Sequence, residues 1–370
     1  MAKSRLHALA ERGQSIWIDN LSRELVHSGE LQRLIDEDAV TGVTSNPTIF
    51  QKAIAGGNSY DEQLREVMER TDDPREIFFE LAITDVQDAC DVLRPVWDDV
   101  QGQDGFVSLE VDPGLAYDTE ATFEQALELH ERVDRKNLYV KIPATQPGLP
   151  AIDDCIAHGK SINVTLIFSL QRHQEVMEAY IRGLERLVAD GGDPTSVASV
   201  ASFFVSRVDT EADKRLEAIG SEEALALRGK LAVANAKLAY QSYKRLFSGE
   251  RWERLAAKGA TAQRCLWAST SVKNPDYRDV LYVEELIGPE TVNTMPEETI
   301  EAFQEHGQVA LTLEQGIDEA KRLFEQLAEA GIDYDDVVRV LEEEGVQKFA
   351  DSFSELLDGI RDKRGALAAA

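Results

Sequence analysis

Lys141 stands in Asn137-Leu-Tyr-Val-Lys-Ile-Pro143, where one cation interrupts an apolar run that a proline then ends. A strand alternates its faces with a period of two, so Leu138, Val140 and Ile142 share one side and Tyr139 and Lys141 the other. If that second side is an interior, the residue type has a chemical use: a buried ammonium is costly, and a neutral amine attacks a carbonyl to form a Schiff base. Taken alone, Lys141 also fits an edge or rim lysine that stretches its ammonium to water.

The same arrangement recurs in eight short runs, each ending on a polar or charged side chain. They end on Asp19 (after Ile16-Trp-Ile), Asn46 (after Val43-Thr-Ser), Glu110 (after Phe106-Val-Ser-Leu), Lys141, Thr165, Ser202, Ser269 and Asn293. Helical patterns lie between them. Phe123, Leu127, His130 and Val133 form one stripe over residues 120–134, and Val176, Tyr180, Leu184 and Leu187 another over 171–190. Eight alternations of strand and helix predict an α/β fold, a closed (β/α)8 TIM barrel with additional helices, whose polar strand ends converge on one rim. An open doubly wound sheet is the competing topology. Neither Gly-x-Gly-x-x-Gly nor Gly-x-x-x-x-Gly-Lys-Ser/Thr occurs to support a nucleotide cradle.

With 370 residues the chain exceeds a minimal barrel of roughly 250, which predicts one barrel domain over 1–370 with a C-terminal helical extension. Two helix-rich insertions, within 59–94 and 210–258, take up part of the surplus, and residues 297 onward read as acidic amphipathic helices. Turns are expected at Gly56-Gly-Asn58, Gly102-Gln-Asp-Gly105 and Gly191-Gly-Asp-Pro194, and the small-residue end, 365–370, reads as a disordered tail. A net charge of −29 argues against nucleic acid and anionic membranes as partners. No apolar run approaches twenty residues and the start, Met1-Ala-Lys-Ser-Arg5, is not a signal core, so a cytoplasmic protein is expected. Cys90, Cys155 and Cys265 are too scattered for a disulfide frame, and the six histidines include no His-x-x-x-His pair, so no metal site is expected.

Four segments resemble the signature stretches of the transaldolase family, in that family's order: Thr41-Gly-Val-Thr-Ser-Asn-Pro-Thr48, Val107-Ser-Leu-Glu-Val-Asp-Pro113, Tyr139-Val-Lys-Ile-Pro-Ala-Thr145 and Ile162-Asn-Val-Thr-Leu-Ile-Phe-Ser169. The resemblance runs from about Trp17 to about Asn293. It implies transfer of a dihydroxyacetone unit between phosphorylated sugars, from sedoheptulose 7-phosphate or fructose 6-phosphate to glyceraldehyde 3-phosphate or erythrose 4-phosphate, with no metal or organic cofactor. It further implies that Lys141 attacks the donor carbonyl, that Asp19 removes the C4 hydroxyl proton, and that Glu110 and Thr165 place a water for proton shuttling. Asn46 and Ser202 would hold the hydroxyls of the three-carbon unit, and Arg207 and Ser269 belong to the phosphate end. After the seventh strand much of the family shows Ala-Ser-x-Arg, whereas this chain reads Ala268-Ser-Thr-Ser271 with Lys273 two residues on. Lys273 is therefore the expected substitute cation, a point charge where an arginine gives a fork.

Each assignment has a plainer competitor. Asp19 and Asn46 could cap the helices after their strands, Glu110 could pair with a rim arginine, Thr165 and Ser202 could serve packing alone, and Lys273 could be a solvated loop lysine. Two other activities compete: an aldolase that releases free dihydroxyacetone, and a phosphosugar-binding barrel without chemistry. The oligomeric state, monomer or homodimer, is left open by the sequence.

Overall fold

The computed structural model describes residues 4–55 and 57–369. Eight parallel strands close into a barrel in sequence order: β1 (Gln14–Ile18), β2 (Val40–Val43), β3 (Val107–Glu110), β4 (Leu138–Pro143), β5 (Ile162–Ile167), β6 (Ser199–Phe204), β7 (Arg264–Ala268) and β8 (Thr291–Met295). Closure by pairing of β1 with β8 rules out the open sheet. Residues of β3 through β6 are buried on both faces, as expected where helices cover a parallel sheet outside and side chains fill it inside.

The interior is layered. At the amino-terminal end Asp104 accepts hydrogen bonds from Ser15 Oγ (2.5 Å), Thr41 Oγ1 (2.8 Å) and Trp17 Nε1 (2.8 Å), and Arg264 donates to Ser15 Oγ at 2.7 Å. Trp17 fills the middle of the barrel near Tyr139, ring centres 6.1 Å apart. Its register partner is Gly42, where any Cβ would lie 2.5 Å from the indole. Gly42→Ala is accordingly expected to destabilise the protein by about 1–3 kcal/mol through overpacking, read from the urea midpoint.

The predicted insertions are helical. Pro47–Ala55, Asp61–Met68 and Pro74–Asp99 separate β2 from β3, and four helices beginning with Ser206–Ile219 separate β6 from β7. The stripe over residues 171–190 is buried as expected, but in Thr119–Val133 the buried face is Thr122, Ala126, Leu129 and Val133. Phe123, Leu127 and His130 flank that face, because the more polar residue Thr122 buries its hydroxyl on the Leu115 carbonyl. The segments at 102–105 and 191–194 begin with glycines at positive φ, whereas the expected turn at 56–58 includes Gly56, which lies outside the described residues.

The small-residue end differs from expectation: the last helix runs from Tyr334 to Ala369, and only Ala370 of that tail lies outside the described residues. Lys363 anchors the helix by donating to the Ile54 carbonyl (2.9 Å) and pairing with Asp61 (2.9 Å). The helix crosses the carboxyl-terminal rim, with Gly345 so close that a Cβ there would stand 3.2 Å from Leu166. No described helix is long and apolar enough to cross a membrane.

Asp209, buried on the helix Ser206–Ile219, is pushed up from the ordinary 3.8 to about 7, chiefly by burial, with the Ala232 N–H and the Tyr282 hydroxyl opposing. A carboxyl raised in the folded state adds stability below the unfolded value, and that stability is lost as pH rises through about 7. Asp209→Asn removes this contribution, so the stability difference between about pH 5 and pH 8 should shrink by about 2 kcal/mol, measured by urea unfolding at both pH values.

Candidate active site

Strand ends place the chemistry. In β4 the period of two turns Tyr139 and Lys141 inward, and Lys141 sits beside Glu110 in the β3–β4 register. Lys141 Nζ pairs with Glu110 Oε1 at 2.5 Å and donates to the Ser45 carbonyl at 2.9 Å. Both residues are buried, 6% and 8% exposed, so a rim lysine and a rim arginine pair are both excluded. Glu110 is held above the usual carboxylate range by burial, which the Lys141 charge opposes.

Asp19 follows β1 and accepts from Thr44 Oγ1 at 2.7 Å, while Thr44 shares a 2.6 Å hydrogen bond with Thr294. Burial raises its pKa, with Lys141, the Thr44 hydroxyl and Arg207 pulling the other way. It caps no helix: the one that follows, Arg23–His27, is capped by Ser22. Asn46 does both things weighed for it, since its Oδ1 accepts from the Ile49 N–H (3.1 Å) at the start of Pro47–Ala55 while the residue also faces the cleft.

A cleft of about 900 Å³ opens over these residues at the carboxyl ends of the strands. Asp19, Asn46, Lys141, Thr165, Ser202, Arg207, Ser269 and Lys273 all line it. Glu110 lies just beneath, facing a separate cavity of about 10 Å³ that it lines with Lys141 and Thr165. Among the described residues the Glu110 oxygens have no hydrogen-bond partner apart from the Lys141 pairing, and the buried Thr165 hydroxyl has none. Ser202 Oγ donates to Asn163 Oδ1 (2.6 Å), whose Nδ2 donates to Ser108 Oγ (3.1 Å).

Among the described residues no carboxylate pairs with Arg207, whose guanidinium lies 5.1 Å from the Phe204 ring centre. Ser269 shares a 2.8 Å hydrogen bond with Ser206, at the start of the helix that carries Arg207. Lys273 is exposed at the cleft edge and donates to Ser271 Oγ at 2.7 Å. Leu166 (φ +60°) and Ser269 (φ +55°), next to Thr165 and just past β7, hold the left-handed backbone that side chains rarely adopt, and such strain gathers at functional sites.

One strand end was misplaced by the alternating pattern. Asn293 faces away from the cleft and accepts from Thr270 (2.8 Å), and Thr294, the register partner of Trp17, is the inward residue of β8. Asn163, Thr44 and Thr294 were not singled out. The period of two, carried back from Thr165 and Asn46, puts Asn163 and Thr44 on the inward face, whereas only the β1–β8 register identifies Thr294.

The chain matches the family described as Transaldolase/Fructose-6-phosphate aldolase over residues 16–360. It belongs to that family. Relatives named transaldolase extend the match along both chains: one from Parafrankia sp. (strain EAN1pec) is 54% identical over 364 residues, covering 98% of this chain and 99% of its own. One from Mycolicibacterium paratuberculosis is 53% identical over 98% of this chain and 97% of its own. One from Mycobacterium tuberculosis is 54% identical over 96% of each. The inward lysine of β4 thus sits in a transaldolase-family barrel, beneath a cleft walled by the strand ends that the family signatures occupy.

Proposed function

We propose that this chain is a transaldolase that moves a dihydroxyacetone unit from a ketose phosphate, sedoheptulose 7-phosphate or fructose 6-phosphate, to an aldose phosphate through a Schiff base on Lys141. The observation that carries the reading is the buried Lys141–Glu110 pair at the floor of the cleft. Glu110, with its raised pKa, accepts a proton from the ammonium, and the freed amine attacks the C2 carbonyl. Loss of water from the carbinolamine leaves a protonated imine. The small cavity lined by Glu110 and Thr165 is about the size of one water, which the Thr165 hydroxyl and the Glu110 carboxyl hold for the proton transfers of imine formation and hydrolysis.

Asp19 takes the proton of the C4 hydroxyl. The C3–C4 bond electrons then flow into the imine, the aldose leaves, and an enamine remains on Lys141. Asn46 and Ser202 hold its hydroxyls until an acceptor aldehyde arrives, when Asp19 returns the proton to the new hydroxyl. Arg207 and Lys273 take the phosphate, with Ser269 beside them: an unpaired guanidinium provides the fork and the ammonium a point charge. The chain acts in the cytoplasm, a reading supported by three unpaired cysteines.

Incubation with fructose 6-phosphate, with and without erythrose 4-phosphate, tests the activity. Sedoheptulose 7-phosphate and glyceraldehyde 3-phosphate formed in equal amounts, only when acceptor is present, is the expected result. Free dihydroxyacetone made at the same rate without acceptor would mark an aldolase, and no turnover of either kind would mark a binding barrel.

A further inference from the structure

The helix Ser206–Ile219 enters the cleft with Arg207 and, further along, carries Asp209 and Asp213 one turn apart. Each carboxylate receives one phenol and one backbone N–H. Asp209 accepts from the Tyr282 hydroxyl (2.9 Å) and the Ala232 N–H (2.7 Å), and Asp213 from the Tyr277 hydroxyl (2.6 Å) and the Gly229 N–H (2.9 Å). Both tyrosines lie in the stretch between β7 and β8, the stretch that carries Lys273.

Tyr277 is linked to that lysine by a short turn. Its N–H donates to the Asn274 carbonyl (3.1 Å), and the Asn274 side chain accepts from the Asp276 N–H (3.0 Å), so residues 274–277 form a closed turn directly after Lys273. On its other side the Tyr277 ring rests on Gly229, whose φ is +69° and where a Cβ would stand 2.7 Å from the ring. The phenol thus occupies a socket made of Asp213 and a glycine that has no room for a side chain.

We propose that Tyr277 and Asp213 are positioning residues that staple the Lys273 loop to the helix of Arg207, and thereby set the preference for a phosphorylated acceptor over an unphosphorylated aldehyde. The physical reason is entropy. A lysine on an exposed loop is a mobile charge, and ordering loop and side chain on binding weakens affinity. A loop already tied to the neighbouring helix loses less freedom when phosphate binds. The inference rests on the phosphate reading of Arg207 and Lys273.

The protein is assayed with fructose 6-phosphate as donor, comparing erythrose 4-phosphate with erythrose as acceptor while the glyceraldehyde 3-phosphate released is removed enzymatically. The quantity read is the ratio of the two kcat/KM values. Tyr277→Phe, which deletes one hydroxyl and keeps the ring on Gly229, should lower the ratio roughly fivefold through KM for the phosphorylated acceptor, with kcat held. Asp213→Asn reads the same contact from the other side and should do likewise. Lys273→Ala should lower the ratio by roughly tenfold or more, and adding Tyr277→Phe to it should lower it no further. A ratio that falls in Lys273→Ala but stays at the wild-type value in Tyr277→Phe and Asp213→Asn overturns the staple and leaves the phosphate reading standing. An unchanged ratio in Lys273→Ala overturns both.

Discussion

Lys141→Ala is expected to lower kcat by about four orders of magnitude or more, the scale seen when a covalent nucleophile is lost. The residue has no understudy: among the described residues lining the cleft, Lys52, Lys273 and Lys348 are the other lysines, and they come from flanking helices and a loop rather than from the barrel floor. The measurement is borohydride reduction in the presence of fructose 6-phosphate, followed by peptide mass analysis. Wild-type protein should carry a three-carbon adduct on the peptide containing Lys141, and the variant none. An adduct on another lysine in folded wild-type protein would sink the mechanism. The substitution also leaves Glu110 buried without its cation, so folding of the variant is checked by circular dichroism; Lys141→Met, closer in length and shape, supplies a second reading of the same loss.

Asp19→Asn should separate the two halves of the reaction. The amide keeps the shape of the carboxylate and accepts the Thr44 hydroxyl as before, but it takes no proton from the C4 hydroxyl. Loss of a general base is worth roughly a hundred- to ten-thousand-fold in kcat. Imine formation does not need that base, so borohydride should now trap the whole six-carbon phosphate on Lys141 in place of the three-carbon fragment. A three-carbon adduct at the wild-type rate would remove Asp19 from the bond-breaking step.

The pH profile gives the same residue a second test. Burial holds the Asp19 pKa above 3.8, and the base works only when ionised, so kcat/KM should fall on the acid side at a pH above the ordinary aspartate range. The Thr44 hydroxyl pulls that value down. Thr44→Val removes the pull, and the acid limb should move to higher pH; an unmoved limb would assign it to another group.

Much of this site was legible before any coordinates because strands have a period of two and barrels collect their strand ends on one face. An inward cation in β4 with polar residues at other strand ends suggests Schiff-base chemistry, and the resemblance to the family supplies the individual roles. What the one-dimensional pattern left open was which neighbour answers which. A rim arginine was the competing partner for Glu110 until the β3–β4 register set it beside Lys141, and Asn46 proved to be a helix cap and a cleft residue together. Asn293 and Thr294 show the limit of the alternation: both are polar, and only pairing with β1 decides which faces inward.

The sequence by itself determined the fold class, the lysine and the order of the strand-end residues, since these depend on local periodicity and residue type. Tertiary structure alone decided the partners of the buried charges, the helix laid across the rim by Tyr334–Ala369, and the tie between the Lys273 loop and the helix of Arg207. Those contacts join residues from 31 to more than 300 positions apart. Their geometry follows from barrel closure and helix packing, which no window of sequence contains.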